Sequence, residues 1–160
     1  MNDMASGEKY DRKNDPVPPD FRIINWVAII SQLADTKMRH LLEGTNVPLP
    51  QYVLLSHFAA QPKEKKTVSQ IARALQQPQP GITKTVGKLL DKSFLRAEEN
   101  PADGRSKFLY LTDKGAKAHA EAEARLESAM EDIFDGWREW EKRDFFGFLD
   151  RLKVFMEESR

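Results

Sequence analysis

The chain has 160 residues, with 25 Lys and Arg balanced by 25 Asp and Glu, 40% hydrophobic residues and no cysteine. That length suits one folded domain with helical extensions, while the missing cysteines exclude disulfides, thiolate nucleophiles, Cys-based zinc sites and thiol redox sensing. The longest apolar run, Trp26 to Ile30, is far short of the roughly 20 residues that span a bilayer. With no charged-then-apolar leader over residues 1–20, the cytoplasm is the expected compartment and no membrane is expected as a partner. The zero net charge conceals an uneven distribution. From Lys63 to Gly115 there are eleven Lys and Arg against six Asp and Glu, a balance of +5, and the remainder carries 14 against 19. A basic middle between acidic flanks fits a nucleic-acid-binding module set in a helical scaffold.

Residues 1–19 are polar, contain Pro16, Pro18 and Pro19 and show no periodicity, which predicts a disordered arm. Asp20 is the expected N-cap of a long amphipathic helix carrying Ile23, Ile24, Val27, Ile30, Ala34, Met38, Leu41 and Leu42 and stopping near Gly44. Pro48 and Pro50 introduce a second helix to about Ala60, with Tyr52, Leu55, Phe58 and Ala59 as core candidates. Gln61 to Lys66 reads as a solvated loop, and Lys65 and Lys66 as a solvated charge run with a phosphate contact as the alternative.

Thr67 and Gln70 form a capping box, after which Ile71, Ala72 and Leu75 make the buried stripe of a short helix. The break at Gln76, Gln77 and Pro78 leads to a second short helix, Gln79 to Lys92, with Pro80 in its first turn, where a missing N–H costs nothing. Ile82, Val86, Leu89 and Leu90 share one face of it. The opposite face shows Gln79, Thr83, Lys84, Gly87 and Lys88, a set of donors, cations and a small residue suited to DNA. Then the period falls towards 2: Leu95 and Ala97 alternate with Arg96 and Glu98, and Phe108 and Tyr110 with Leu109 and Leu111. Between them, Asn100-Pro101-Ala102-Asp103-Gly104 predicts a hairpin tip, followed by Arg105. Two helices and a hairpin in this order make a winged helix-turn-helix over residues 48–115.

Thr112 caps a long helix from Asp113 to about Phe134, with Ala116, Ala120, Ala124, Met130, Ile133 and Phe134 as its apolar residues. After Gly136 a last helix, about Glu141 to Glu158, carries Phe145, Phe148, Leu149, Leu152, Phe155 and Met156, with Trp137 and Trp140 at its edge. A helix this aromatic needs a cover, and the simplest is the first helix together with the same pair from a second subunit. His40, His57 and His119 show no ligand-type spacing, and the acidic residues from Glu121 to Asp135 scatter round a helix, so neither a metal site nor paired catalytic carboxylates are expected.

Asp103-x-Arg105, then Leu111-Thr112-x-x-Gly115 directly after a hairpin strand, resembles the wing signature of the MarR family of transcriptional regulators. The resemblance implies a mainly α fold with a small two-stranded β-wing: one domain over 20–160, in which residues 20–44 and 116–160 supply dimerisation helices around the winged helix-turn-helix. It implies a homodimer acting on double-stranded DNA, most often as a repressor of a pseudo-palindromic operator, with no enzymatic step and no cofactor. Carried over by position, the helix from Gln79 enters the major groove and Arg105 reaches the minor groove, with Asp103 holding the wing. Thr83 and Lys84 are the base-edge candidates, Lys88 and Lys107 the phosphate candidates, and Gln79 either reads adenine or caps its helix. Gly104 stands where many members have a second Arg, and Ser93 where a Gly usually ends the groove helix, at a cost of about 1 kcal/mol for a left-handed non-Gly residue. Release by small aromatic or phenolic ligands is also implied; Trp26, Met38, Tyr52, Leu55 and His57 lie on elements that would line such a site, with core packing as the alternative for each. A winged helix used only for protein contact is the competing function, and the cationic set Lys84, Lys88 and Arg105 argues against it.

Overall fold

The computed structural model describes residues 17–159. The expected arm therefore lies outside the described residues except for its last three, and these already lead into a helix. The chain divides into two compact units, one ending at Met38 and one beginning at Arg39.

The first unit is built on helix α1, Pro19–Leu42, which continues into the second. It starts one residue earlier than expected, so Asp20 sits inside the first turn, where its charge suits the helix dipole, and is not the N-cap. Phe21, Ile23, Ile24, Trp26, Val27, Ile30 and Leu33 are exposed along it. Gly44, with φ +71°, supplies the left-handed stop. Just before and after it, the Thr45 hydroxyl donates to the Leu42 carbonyl at 2.7 Å and accepts from the Val47 amide at 3.2 Å.

The second unit holds α2 (Leu49–Ala59), α3 (Val68–Leu75), α4 (Gln79–Asp91), strands β1 (Leu95–Glu99) and β2 (Lys107–Leu111), α5 (Asp113–Glu131), a 3-10 turn (Asp132–Phe134) and α6 (Glu139–Glu158). The strands pair antiparallel with Leu95 opposite Leu111, Ala97 opposite Leu109 and Glu99 opposite Lys107. In this register Leu109 faces the core, and Arg96, Glu98, Phe108 and Tyr110 share the other face. The core collects Leu49, Leu54, Leu55 and Phe58 from α2, Ile71 from α3, Ile82, Val86 and Leu89 from α4, then Phe94, Leu95, Leu109, Ala122 and Leu126. Among the described residues no helix is long and apolar enough to cross a membrane.

Two sequence expectations change here. Lys66, expected in a solvated run, is buried: its amide and carbonyl exchange hydrogen bonds with Leu109, adding a short third rung to the wing. Its ammonium donates to Gln61 Oε1 at 2.5 Å and lies 3.6 Å from Glu64. The second change concerns α5, whose buried side is Gly115, His119, Ala122 and Leu126, whereas Ala116, Ala120 and Ala124 are exposed. Alanine tolerates either environment, and His119 is buried because it has partners: its Nε2 lies 2.9 Å from Ser56 Oγ, and its ring stacks on Tyr52 with centroids 5.1 Å apart.

Candidate nucleic-acid interface

Helix α4 is placed by the elements before it. At the start of α3 the Thr67 hydroxyl accepts from the Gln70 amide at 3.3 Å while Gln70 Oε1 accepts from the Thr67 amide at 2.8 Å, a complete capping box. Helix α3 ends on Gln76 in the left-handed region, φ +52°, and Gln77 then donates back to the Ala72 carbonyl. This turn hands the chain to α4, whose N-cap is Pro78 with Pro80 in the first turn. No side chain caps α4, so Gln79 occupies the first helical position without a capping role.

Helix α4 packs on α2, α3 and β1 through Ile82, Val86 and Leu89. Gln79, Thr83, Lys84 and Lys88 are exposed on the other side, with Gly87 between them partly covered. The Thr83 hydroxyl donates to the Gln79 carbonyl at 3.0 Å, which fixes its rotamer and leaves its oxygen lone pairs facing outward as acceptors. Just past the C-cap Lys92, Ser93 lies in the left-handed region, φ +59°, the strained non-glycine position expected from the sequence.

The wing tip is built by side chains bonding back to the main chain. Asp103 Oδ1 accepts from the Arg105 amide at 3.0 Å, and the Asp103 carbonyl accepts from the Ser106 amide and hydroxyl. Asn100 Oδ1 accepts from the Ala102 amide at 3.1 Å, and its Nδ2 donates to Ser106 Oγ at 2.8 Å. Asp103 thus shapes the turn while Arg105 stands exposed beside it. Asn100 and Ser106 share this work and were not singled out from the sequence, where Asn100 reads only as a turn former. Lys107, at the base of the tip, is exposed opposite Glu99. Two further cations are engaged elsewhere: Arg96 pairs with Glu98 and covers the Tyr110 ring at 4.2 Å, and Lys65 lies 4.3 Å above Phe108.

The five residues considered for an aromatic ligand are differently placed. Leu55 is fully buried, Tyr52 stacks on His119, and His57 meets Phe58 edge-on at 6.3 Å. Trp26 is exposed on α1 beside a cleft that it lines with Pro19, Arg22 and Ile23, and Met38 is half-buried on the same helix. Burial, and next the Lys66 cation, hold the His57 pKa below the ordinary histidine value, with Glu64 partly opposing.

Ser56, His119 and Glu123 form a serine, histidine, acid row that invites comparison with a hydrolase. The Ser56 hydroxyl donates to the Tyr52 carbonyl at 2.9 Å and its oxygen lies 2.9 Å from His119 Nε2, while His119 Nδ1 lies 3.8 Å from Glu123 on the same helix. The row fastens α2 to α5.

Residues 45–106 match the model of the MarR family. No curated protein sequence matches the chain. Among solved structures, the S. aureus MepR–DNA complex matches with a TM-score of 0.69 at 20% identity, over 84% of this chain and 97% of that one. FabT of Streptococcus pneumoniae in complex with DNA matches at 0.68 and 22% identity, over 88% and 99%. A mutant of E. coli MarR matches at 0.73 and 16% identity, over 87% and 98%. At such identities the likeness establishes the winged-helix fold.

Proposed function

We propose that the chain is a sequence-specific, DNA-binding transcriptional regulator of the MarR family, because residues 45–106, which carry the helix-turn-helix with the first strand and tip of the wing, match that family's model. It works in the cytoplasm as a homodimeric repressor of a pseudo-palindromic operator, without an enzymatic step, and is released by a small aromatic ligand. One observation carries the reading: a helix packed on three neighbours leaves Thr83, Lys84 and Lys88 on its free face, beside a wing that Asp103 folds so as to present Arg105.

In this reading α4 enters the major groove, where Thr83 and Lys84 meet base edges and each base pair shows its own donors and acceptors. Lys88 and Lys107 neutralise phosphates, and Gln79 is the remaining base-edge candidate. Arg105 enters the minor groove, where narrow A·T tracts attract a cation. Two subunits place two such helices about one DNA turn, roughly 34 Å, apart. A ligand that binds one separation better than the other shifts the equilibrium between bound and released forms.

Selection of bound sites from a random DNA pool tests this, followed by competition with aromatic carboxylates. An enriched sequence with two-fold repetition is expected. No enrichment, or an enriched site without a repeated half, would overturn the proposal.

A further inference from the structure

We propose that Lys92 is a positioning residue for DNA recognition: its ammonium ties the end of the groove helix to the start of α2, and it touches no phosphate. The inference rests on the DNA-binding reading above and concerns how α4 is held.

Lys92 stands at the C-cap of α4, where a cation in a DNA-reading helix would ordinarily be assigned to the phosphate backbone. Its side chain goes elsewhere. Nζ donates to the Asn46 carbonyl at 2.7 Å and to Gln51 Oε1 at 2.8 Å. Gln51 is 5% exposed, a buried polar side chain on the first turn of α2 whose acceptor would be orphaned without this lysine. Among the described residues no carboxylate forms a salt bridge with Lys92, so its charge is met by two neutral acceptors at fixed places. Burial, then repulsion from Lys88, lowers its pKa below the ordinary lysine value, and the side chain is half-buried.

The same point of the chain is fixed from the other side. The Lys92 carbonyl accepts from Lys114 Nζ at 2.9 Å, and the Ser93 carbonyl accepts from the Thr112 hydroxyl at 2.8 Å. The end of α4 is thus clamped between the start of α2 and the start of α5. A clamp at one end sets the angle at which the exposed face of the helix is presented. Loosening it should weaken recognition of correctly placed bases more than it weakens the general attraction of cations for phosphate.

Lys92→Met keeps the aliphatic stem and removes the donors. Gln51→Leu removes the acceptor from a buried place on another helix, and the two are compared with the double variant and with Lys92→Arg. All are measured where circular dichroism shows them folded, on the selected operator and on non-operator DNA, across a range of salt. Each of Lys92→Met and Gln51→Leu should lower operator affinity roughly tenfold, within the usual range of coupling between sites. Non-operator affinity and the slope of log K against log[salt] should stay at the wild-type values. The double variant should lose no more than either single one, and Lys92→Arg should recover part of the loss. A slope reduced by about 1 to 2 in Lys92→Met would make Lys92 a phosphate contact and overturn the inference. Unchanged operator affinity would also overturn it, as would equal losses on both DNAs or additive losses in the double variant. If the wild-type protein selects no DNA, the underlying reading has failed and this one falls with it, an outcome read before any variant is made.

Discussion

At Gly115 an added Cβ would lie 2.1 Å from the Phe94 carbonyl oxygen and 2.9 Å from its carbon. Both are backbone atoms, and that carbonyl already accepts from the Thr112 amide and hydroxyl, so it has little room to move. This close approach is the physical content of the Leu-Thr-x-x-Gly pattern: Thr112 caps α5 through the Gly115 amide while α5 is pressed on the turn after α4. Gly115→Ala should therefore destabilise the fold by about 1–3 kcal/mol or more in denaturant unfolding, and a variant as stable as the parent would show that the approach is not tight. His57 makes a second residue-scale prediction. Its pKa is held below the ordinary value in the fold, so near pH 6.5 the unfolded chain binds a proton more readily than the folded one. The stability this represents is present above about pH 6.5 and is lost as pH falls through the lower folded value. His57→Gln should flatten the decline in unfolding free energy between about pH 7 and pH 5 relative to wild type, whereas parallel curves would rule the effect out. What the sequence could show at this scale was local. The Thr67–Gln70 box and the left-handed Ser93 follow from neighbours within a few positions, whereas the burial of Lys66 and His119 depends on Leu109 and Ser56, far away along the chain.

At the scale of elements, groove helix and wing should fail in different ways. Lys88 is exposed on α4 and points to solvent, so Lys88→Ala should reduce the salt slope of operator binding by about 1 to 2, counting both subunits; an unchanged slope would remove it from the phosphate contacts. Changing Thr83 or Lys84 should alter which base is preferred at one position in each half-site. Arg105→Ala should weaken binding by about 1–3 kcal/mol per half-site, the scale of a good specific contact, and leave the core preference intact. Asp103→Ala should give a milder form of the same defect, since Asn100 and Ser106 still brace the turn. Binding to a library randomised separately in the half-site core and its flanks distinguishes these outcomes, and a shifted core preference in Arg105→Ala would contradict its minor-groove assignment. Periodicity and turn chemistry made these elements legible, to within a residue or two at their ends. The face that α5 buries was not legible, because a helix rich in alanine offers several nearly equivalent stripes and the choice fell to partners such as Tyr52 and Ser56 on α2.

For the whole molecule the decisive observation is how much apolar surface one copy of the chain leaves in water. Helix α6 has no buried residue along its length, although it carries Phe146 at 69%, Phe155 at 64% and Phe148 at 63% exposure. Helix α1 exposes Phe21 at 67% and Leu33 at 65%. Burying a large apolar side chain contributes about 1.5–3 kcal/mol, so leaving this many in solvent is untenable for a soluble monomer, whose largest apolar patch is typically a few hundred Å². We propose a second copy as the cover, since a two-fold axis lets each helix face be used once by each subunit. The proposed dimer also sets the separation of the two groove helices, linking this surface to the half-site spacing. Phe148→Asp combined with Phe155→Asp should shift the protein from dimer to monomer in sedimentation equilibrium and abolish binding to a full operator at concentrations where wild type is saturated. Deleting residues 141–160 should cause aggregation or unfolding, because the proposed dimer would lose the aromatic face of α6. A wild-type protein that sediments as a well-folded monomer, or a deletion that leaves one, would show that these faces are not covered by a second copy.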